Sequence, residues 1–370
     1  MEQLLSIIEI PLERRYWLIR AGTNSGEYYQ QFRLNGVVAI GHANNVKFDF
    51  EDGHVLSDAD KEHMIGAAAA KLQESSSNKK RGEVARLKGQ LRRFLYEVKE
   101  GDTVVSLKES NKVIVGVVTS KPYYADSELQ GRSEDKKVCD YNLRIDVSWG
   151  KPRNRDLVPM NLDRTLRIPN TITEFRDAHQ VRTLNHWLYP IYFAEGEVRC
   201  SLRIASKEDL SNHQLTVLSH TLDRLDVLSS FVEYASKNDI EFCLDKFNEY
   251  LKSDNVQYGL KAQHLFMSPG YQFIQLSGSD LKRIMFASLL ALAFDHSDAA
   301  ALELPQGISK EQVLELANQI TRDSGIASVK DDLKVYLPKK ERSGRADEPE
   351  MGITLEDNSA DSDPVDGSML

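Results

Sequence analysis

The stretch YWLIRAGTNSGEYYQQFRLNGVVAIG, residues 16–41, decides how the chain is read. Residues 16–21 are apolar and aromatic around a single arginine, the composition of a strand. Residues 22–26 hold two glycines among Thr23, Asn24 and Ser25, a turn. Residues 27–35 suit a short helix, and Gly36 stands where a left-handed cap ends one. Val37, Val38, Ala39 and Ile40 make an apolar run of strand length that Gly41 closes. Strand, helix and returning strand bring Trp17, Arg20 and Asn35 into a small region. An aromatic beside polar hydrogen-bonding groups is what a site holding a flat base requires.

Outward from this unit, residues 42–56 read as a polar loop. Ser57 caps a helix that carries Asp58 and Asp60 in its first turn, where they suit the positive end of the dipole, and that runs to about residue 74. A second helix covers residues 82–98. Val84, Leu87, Leu91, Phe94, Leu95 and Val98 recur at three- and four-residue spacing, one buried stripe. Arg86, Lys88, Arg92 and Arg93 occupy the other face, and Lys79, Lys80 and Arg81 precede it. Residues 103–107 and 113–119 pair as a hairpin, Tyr123 and Tyr124 open a long polar loop, and residues 138–149 alternate as a strand. Short strands with inserted helices predict a small, mixed, partly closed β-barrel over residues 1–150.

Beyond residue 150, prolines punctuate a transition and a hairpin falls around Glu195 and Gly196. From Ser206, with Asp209, the chain turns helical, interrupted by a second hairpin around residues 268–270. Ser279 and Ser309 start two further helices. The expected class is thus α+β: a barrel at 1–150, a mainly α-helical domain with two β-hairpins at 151–338, and a disordered acidic tail at 339–370, which lacks the apolar content to fold.

The 370 residues are 41% hydrophobic and 28% charged with a net charge of -9, an ordinary globular balance of two or three domains. An acidic chain is no general polyanion binder, so any nucleic-acid surface must be local. Cys139, Cys200 and Cys243 are isolated, with no zinc spacing, and point to a reducing, cytoplasmic setting. The N-terminus lacks a signal-peptide pattern. The longest apolar stretch, residues 284–294, falls short of the ~18–20 residues that span a bilayer. No membrane, metal or cofactor is expected.

The order Trp17-Leu18-Ile19-Arg20-Ala21-Gly22, Gly26-Glu27-Tyr28, Phe32, Asn35 through Gly41, Gly89 through Phe94, Gly101 through Val105 and the apolar run 113–118 resembles the EVE-like members of the PUA-like barrels. These are related to YTH domains and stand at the front of Mrr-type restriction proteins and other bacterial defence proteins. The resemblance covers about residues 15–150. It implies a nucleic-acid reader that flips a base, often a modified one, into an aromatic-lined pocket, with DNA favoured over RNA. Carried over by position, Trp17, Arg20, Phe32 and Asn35 belong to that region. Where the family often has an aromatic after the Ile-Gly pair, this chain has His42, whose imidazole stacks more weakly than an indole.

Each candidate has a plainer reading. Trp17 is equally a core residue, and Arg20 equally a structural ion pair, since an arginine in an apolar strand is costly unless paired or at a cleft. Asn35 serves as a helix C-terminal residue and Phe32 as packing. The basic run Lys79, Lys80, Arg81, Arg86, Arg93 is either a solvated face or a phosphate-contact face, and its one-signed charge in an acidic chain favours phosphate. Trp149 either lines a pocket mouth or packs against the linker, and Tyr123 either stacks on a base or packs at the surface. His220 and Asp223 on one helix turn are neighbours of the kind mostly found at surfaces.

The leading expectation is a nucleic-acid sensor or accessory subunit of a prokaryotic defence system, with a protein partner bound through residues 151–338. The alternatives are a divergent metal-dependent nuclease, for which Asp331, Asp332 and Lys334 have the residue types without the strand context, and a regulatory protein that mediates protein contacts only.

Overall fold

The computed structural model describes residues 7–23, 26–74, 81–108, 111–131, 137–155, 158–266, 269–295 and 304–338. The expected tail at 339–370 and the expected basic residues Lys79 and Lys80 lie outside them. The fold is α+β with two mixed sheets, and it separates into a front unit, Pro11–Leu188, and a rear unit built from Tyr189–Lys339 with Met1–Ile10. Chain order begins with β1 (Ile8–Glu9) of the rear unit.

The front unit then runs β2 (Tyr16–Ile19), α1 (Tyr29–Asn35), β3 (Val37–Ile40), β4 (His54–Val55), α2 (Asp58–Glu74) and α3 (Arg81–Arg92). A π-helical turn, Arg93–Glu97, continues α3. β5 (Thr103–Lys108), β6 (Lys112–Val118), β7 (Tyr123–Tyr124), β8 (Leu143–Trp149), β9 (Arg153–Asn154), α4 (Met160–Leu166), β10 (Ile172–Glu174) and α5 (Ala178–Leu188) complete it. Local chemistry accounts for the helix ends. Gly36 is left-handed at φ 66° and donates its N–H to the Phe32 carbonyl, ending α1. Ser57 Oγ accepts from the Asp60 N–H at 3.2 Å while Asp60 Oδ2 accepts from the Ser57 N–H at 2.8 Å, a capping box for α2. In the π turn Val98 N donates to Arg93 O, and the adjacent Phe94 and Leu95 are both buried.

The strand path is β10-β2-β5-β6-β8-β7-β4, with β3 also on β8 and β9 also on β6. β2 and β5 are parallel and every other pair is antiparallel. Among the described residues the strand path does not close on itself: β10 and β4 are its ends. β2 and β3 do not pair; β2 lies between β5 and β10, and β3 lies on β8. The expected division at residue 150 falls between β8 and β9, and the sheet continues past it, Ile172, Thr173 and Glu174 pairing with Ile19, Leu18 and Trp17. The expected strand over 138–149 starts only at Leu143; before it, Cys139 bridges to Leu129 across the loop.

The rear unit adds β11 (Ile191–Ala194), β12 (Glu197–Ile204), α6 (Asn212–Asn238), α7 (Leu244–Leu251), β13 (Lys261–Phe266), β14 (Gly270–Ser277), α8 (Asp280–Asp295), α9 (Lys310–Asp323), α10 (Ile326–Leu333) and β15 (Val335–Tyr336). The two expected hairpins form, and they fuse: β12 and β14 pair antiparallel from Glu197↔Ser277 to Ile204↔Gly270. One sheet face, with Val198, Cys200, Leu202, Ile204, Ile274 and Leu276, shares a core with Leu222, Leu225 and Phe231 of α6 and Phe286 and Leu290 of α8. The cap of α6 lies five residues later than the Ser206 expectation, at a capping box between Ser211 and Gln214. Ser206 instead accepts the Glu208 N–H.

Candidate nucleic-acid interface

Trp17 lies in the middle of β2, whose four residues are all buried. Its side chain is 0% exposed, and its indole Nε1–H donates to Asp102 Oδ2 at 2.8 Å. The same carboxylate accepts the Lys99 N–H at 2.9 Å and the Arg15 N–H at 3.3 Å. A buried anion with three donors is well satisfied. Trp17 is thus a core residue with a satisfied polar atom, and it offers no ring face to a ligand.

Arg20 follows β2 directly. Its guanidinium donates from Nε to the Ile168 carbonyl at 3.1 Å and from Nη2 to those of Leu166 and Ile168 at 2.8 Å. Those carbonyls belong to the end of α4 and the chain after it, where unpaired helix carbonyls need donors. Burial, and then the charge of Arg155, hold the Arg20 guanidinium below its ordinary value. The same short segment, residues 166–172, draws in other side chains. Arg86 of α3 donates to the Pro169 carbonyl at 3.3 Å. Thr171 Oγ1 lies 3.4 Å from His42 Nε2. Gln90 Oε1 accepts the Ile172 N–H at 2.7 Å, and the Arg20 N–H reaches the Thr171 carbonyl at 2.9 Å. Burial, and then Arg86, keep the His42 imidazole below its ordinary value. Arg20, His42 and Arg86 were expected as site residues; the segment that gathers them was not.

α3 presents the cationic face. Arg81, Arg86 and Lys88 are exposed and Arg93 is half-buried, while Val84 and Leu91 point inward. Arg92 is taken up by Glu62 of α2 at 3.3 Å. Among the described residues no carboxylate lies within ion-pair distance of Arg81, Arg86, Lys88 or Arg93.

The remaining expected residues sit elsewhere. Phe32 is buried, and its carbonyl accepts from Trp149 Nε1 at 3.1 Å. Asn35 Nδ2 donates to the carbonyls of Gln31 and Gln130, tying the end of α1 to a loop. Tyr123 donates its hydroxyl to Asp146 at 2.8 Å, and burial, with that bond, raises its phenol above the ordinary value. None of these hydrogen bonds reaches residues 166–172. Asp331 and Asp332 lie on α10, and Lys334 is its left-handed cap at φ 50°. His220 and Asp223 lie on α6, where burial, and then Asp226, raise the Asp223 carboxyl. Among the described residues no group of three or more His, Cys, Asp or Glu could hold a metal ion, and no helix is long and apolar enough to cross a membrane.

Two tyrosines escaped the sequence reading. Tyr28 and Tyr141 meet at right angles, ring centroids 5.1 Å apart and planes at 78°. Each ring lies against a glycine after a strand: a Cβ on Gly22 would sit 2.7 Å from the Tyr28 ring, and one on Gly41 would sit 2.4 Å from Tyr141. The signal available was Gly22 and Gly41 themselves, since a strand-end glycine often marks close approach.

The chain is similar to a family described as "Domain of unknown function (DUF8426)". That family's model matches residues 17–176, a span that runs from Trp17 through β10 and so includes Arg20, His42, α3 and residues 166–172. No curated protein matches the chain.

Proposed function

We propose that the front unit binds nucleic acid by its phosphate backbone, with α3 as the contact helix. The observation that carries this is the set Arg81, Arg86, Lys88 and Arg93, unneutralised by any described carboxylate in a chain of net charge -9. Cations that no carboxylate neutralises, along one helix and the turn that continues it, suit contact with phosphates, a contact that positions without reading sequence. The ordered likeness to EVE-like, PUA-like modules supports DNA as the polymer and a sensor or accessory role in prokaryotic defence. A base-gripping role for Trp17 requires that ring to leave the core; Tyr28 and Tyr141 are partly exposed aromatics beside Gly22 and Gly41.

The test is fluorescence anisotropy with a labelled DNA oligonucleotide across a salt series, wild type against the triple variant Arg81→Gln, Lys88→Gln, Arg93→Gln. Each lost phosphate contact flattens the slope of log K against log salt by about 0.9 on duplex DNA. We expect a salt-sensitive wild type and a slope lower by roughly 2–3 in the variant. A wild type that does not bind, or a variant with an unchanged slope, refutes the reading.

A further inference from the structure

Two arginines and an imidazole converge on residues 166–172. Arg20 reaches in from β2, Arg86 from α3, and His42 from the residue after Gly41. Arg155 bears electrostatically on Arg20, and Arg86 on His42. Among the described residues the carboxylate at this segment is Asp163, and it is already shared between Arg155 at 2.7 Å and Arg167 at 2.7 Å. The hydrogen bonds that Arg20 and Arg86 make at this segment go to backbone carbonyls. Like charges gathered without a counter-ion repel one another, and a guanidinium bonded to carbonyls alone has no anion beside it to offset its charge.

We propose that Arg20, His42, Arg86 and Thr171 form an anion seat that takes a phosphate group. The anion displaces or shares the carbonyl contacts of Ile168 and Pro169, meets the two guanidinium forks, and takes the Thr171 hydroxyl as a further donor. A planar fork bonding two oxygens is the arrangement guanidinium groups make with phosphate. Pro169 is exposed and Thr171 half-buried, so the seat opens to solvent. It rests on the same unit as the proposed nucleic-acid contact, and it is a separate claim: it concerns one phosphate at residues 166–172, while that reading concerns a row of phosphates along α3.

Inorganic phosphate is the first probe, followed by NMR of the His42 imidazole and the Thr171 amide in the full chain. We expect saturable shifts of both, with a Kd on the order of 1 mM. Binding should weaken roughly tenfold in Arg86→Gln, the loss of one hydrogen bond to a charged group. Arg20→Gln should do the same, and circular dichroism of that variant checks that the fold is kept; Arg86, being exposed, serves where Arg20 does not. The second arm compares one oligonucleotide with a 5′-phosphate and with a 5′-hydroxyl. Preference for the 5′-phosphate, lost in Arg86→Gln, assigns the seat to a terminal monoester. Equal affinity, with phosphate competing against both, assigns it to the backbone. No shift at His42 and Thr171, or shifts unchanged in both variants, overturns the seat, even if DNA binds with a normal salt slope. Phosphate binding without any DNA binding keeps the seat and refutes the contact along α3.

Discussion

Replacing Asp102 by alanine removes the acceptor on which Trp17 depends. The carboxylate receives three N–H donors: the Trp17 indole at 2.8 Å, the Lys99 amide at 2.9 Å and the Arg15 amide at 3.3 Å. Asp102 is 5% exposed and Trp17 is 0% exposed, so water does not readily replace the lost oxygen at the indole. A buried donor left unpaired costs about 1–3 kcal/mol. Counting the indole in full, and the two backbone donors at the low end because one bond is long, the loss comes to roughly 3–5 kcal/mol. The assay is urea unfolding followed by circular dichroism, on wild type, Asp102→Ala, Trp17→Phe and the double variant. Trp17→Phe removes the indole N–H and keeps an aromatic in the core, so Asp102→Ala should cost about 1–2 kcal/mol less in that background. Acrylamide quenching separates Trp17 from the partly exposed Trp149 by comparing Trp17→Phe with wild type, and the Trp17 component should be the protected one. A cost under about 1 kcal/mol for Asp102→Ala, or a Trp17 component quenched like a surface indole, refutes the placement of Trp17 as a satisfied core residue.

Two further outcomes follow from the caps. Ser211→Ala removes the side chain that accepts the Gln214 N–H at the start of α6 and should lower stability by about 1 kcal/mol, read from the shift in urea midpoint at unchanged slope. Asp60 is held down to about 2 by its bonds to Ser57 and then by His54. Its folded value thus lies below its unfolded one, so its contribution is complete above about pH 4 and disappears as pH falls through about 2. Melting temperatures of wild type and Asp60→Asn should therefore differ at neutral pH and converge across that acid window; a constant gap refutes the assignment.

Much of the local structure is legible from short-range patterns. The Ser57 and Ser309 helix starts, the Gly36 stop and the β3 run lie where the residues place them, because capping and periodicity act over three or four residues. The α6 start shows the limit: Ser206 and Ser211 are both plausible caps, and only Ser211 has Gln214 three residues on to close the box. The candidate site is legible in its residue types and not in its geometry. An arginine in an apolar strand signalled a partner for Arg20, and the partner proved to be carbonyls almost 150 residues away, |i−j| of 148 for Ile168. Trp17 gave no sign in its own neighbourhood of the Asp102 that satisfies it 85 residues later.

The amino-acid order by itself determined many of the helices and strands, where several of them end, and that one helix of an acidic chain is basic; it did not mark α4, β10 or α5. Tertiary structure alone decided the order of the strands, that Trp17 is enclosed, and that Arg20, His42 and Arg86 meet at residues 166–172. Caps and amphipathic faces arise from groups a turn apart, whereas burial and charge neighbourhood depend on which distant strands and loops the packed core brings together.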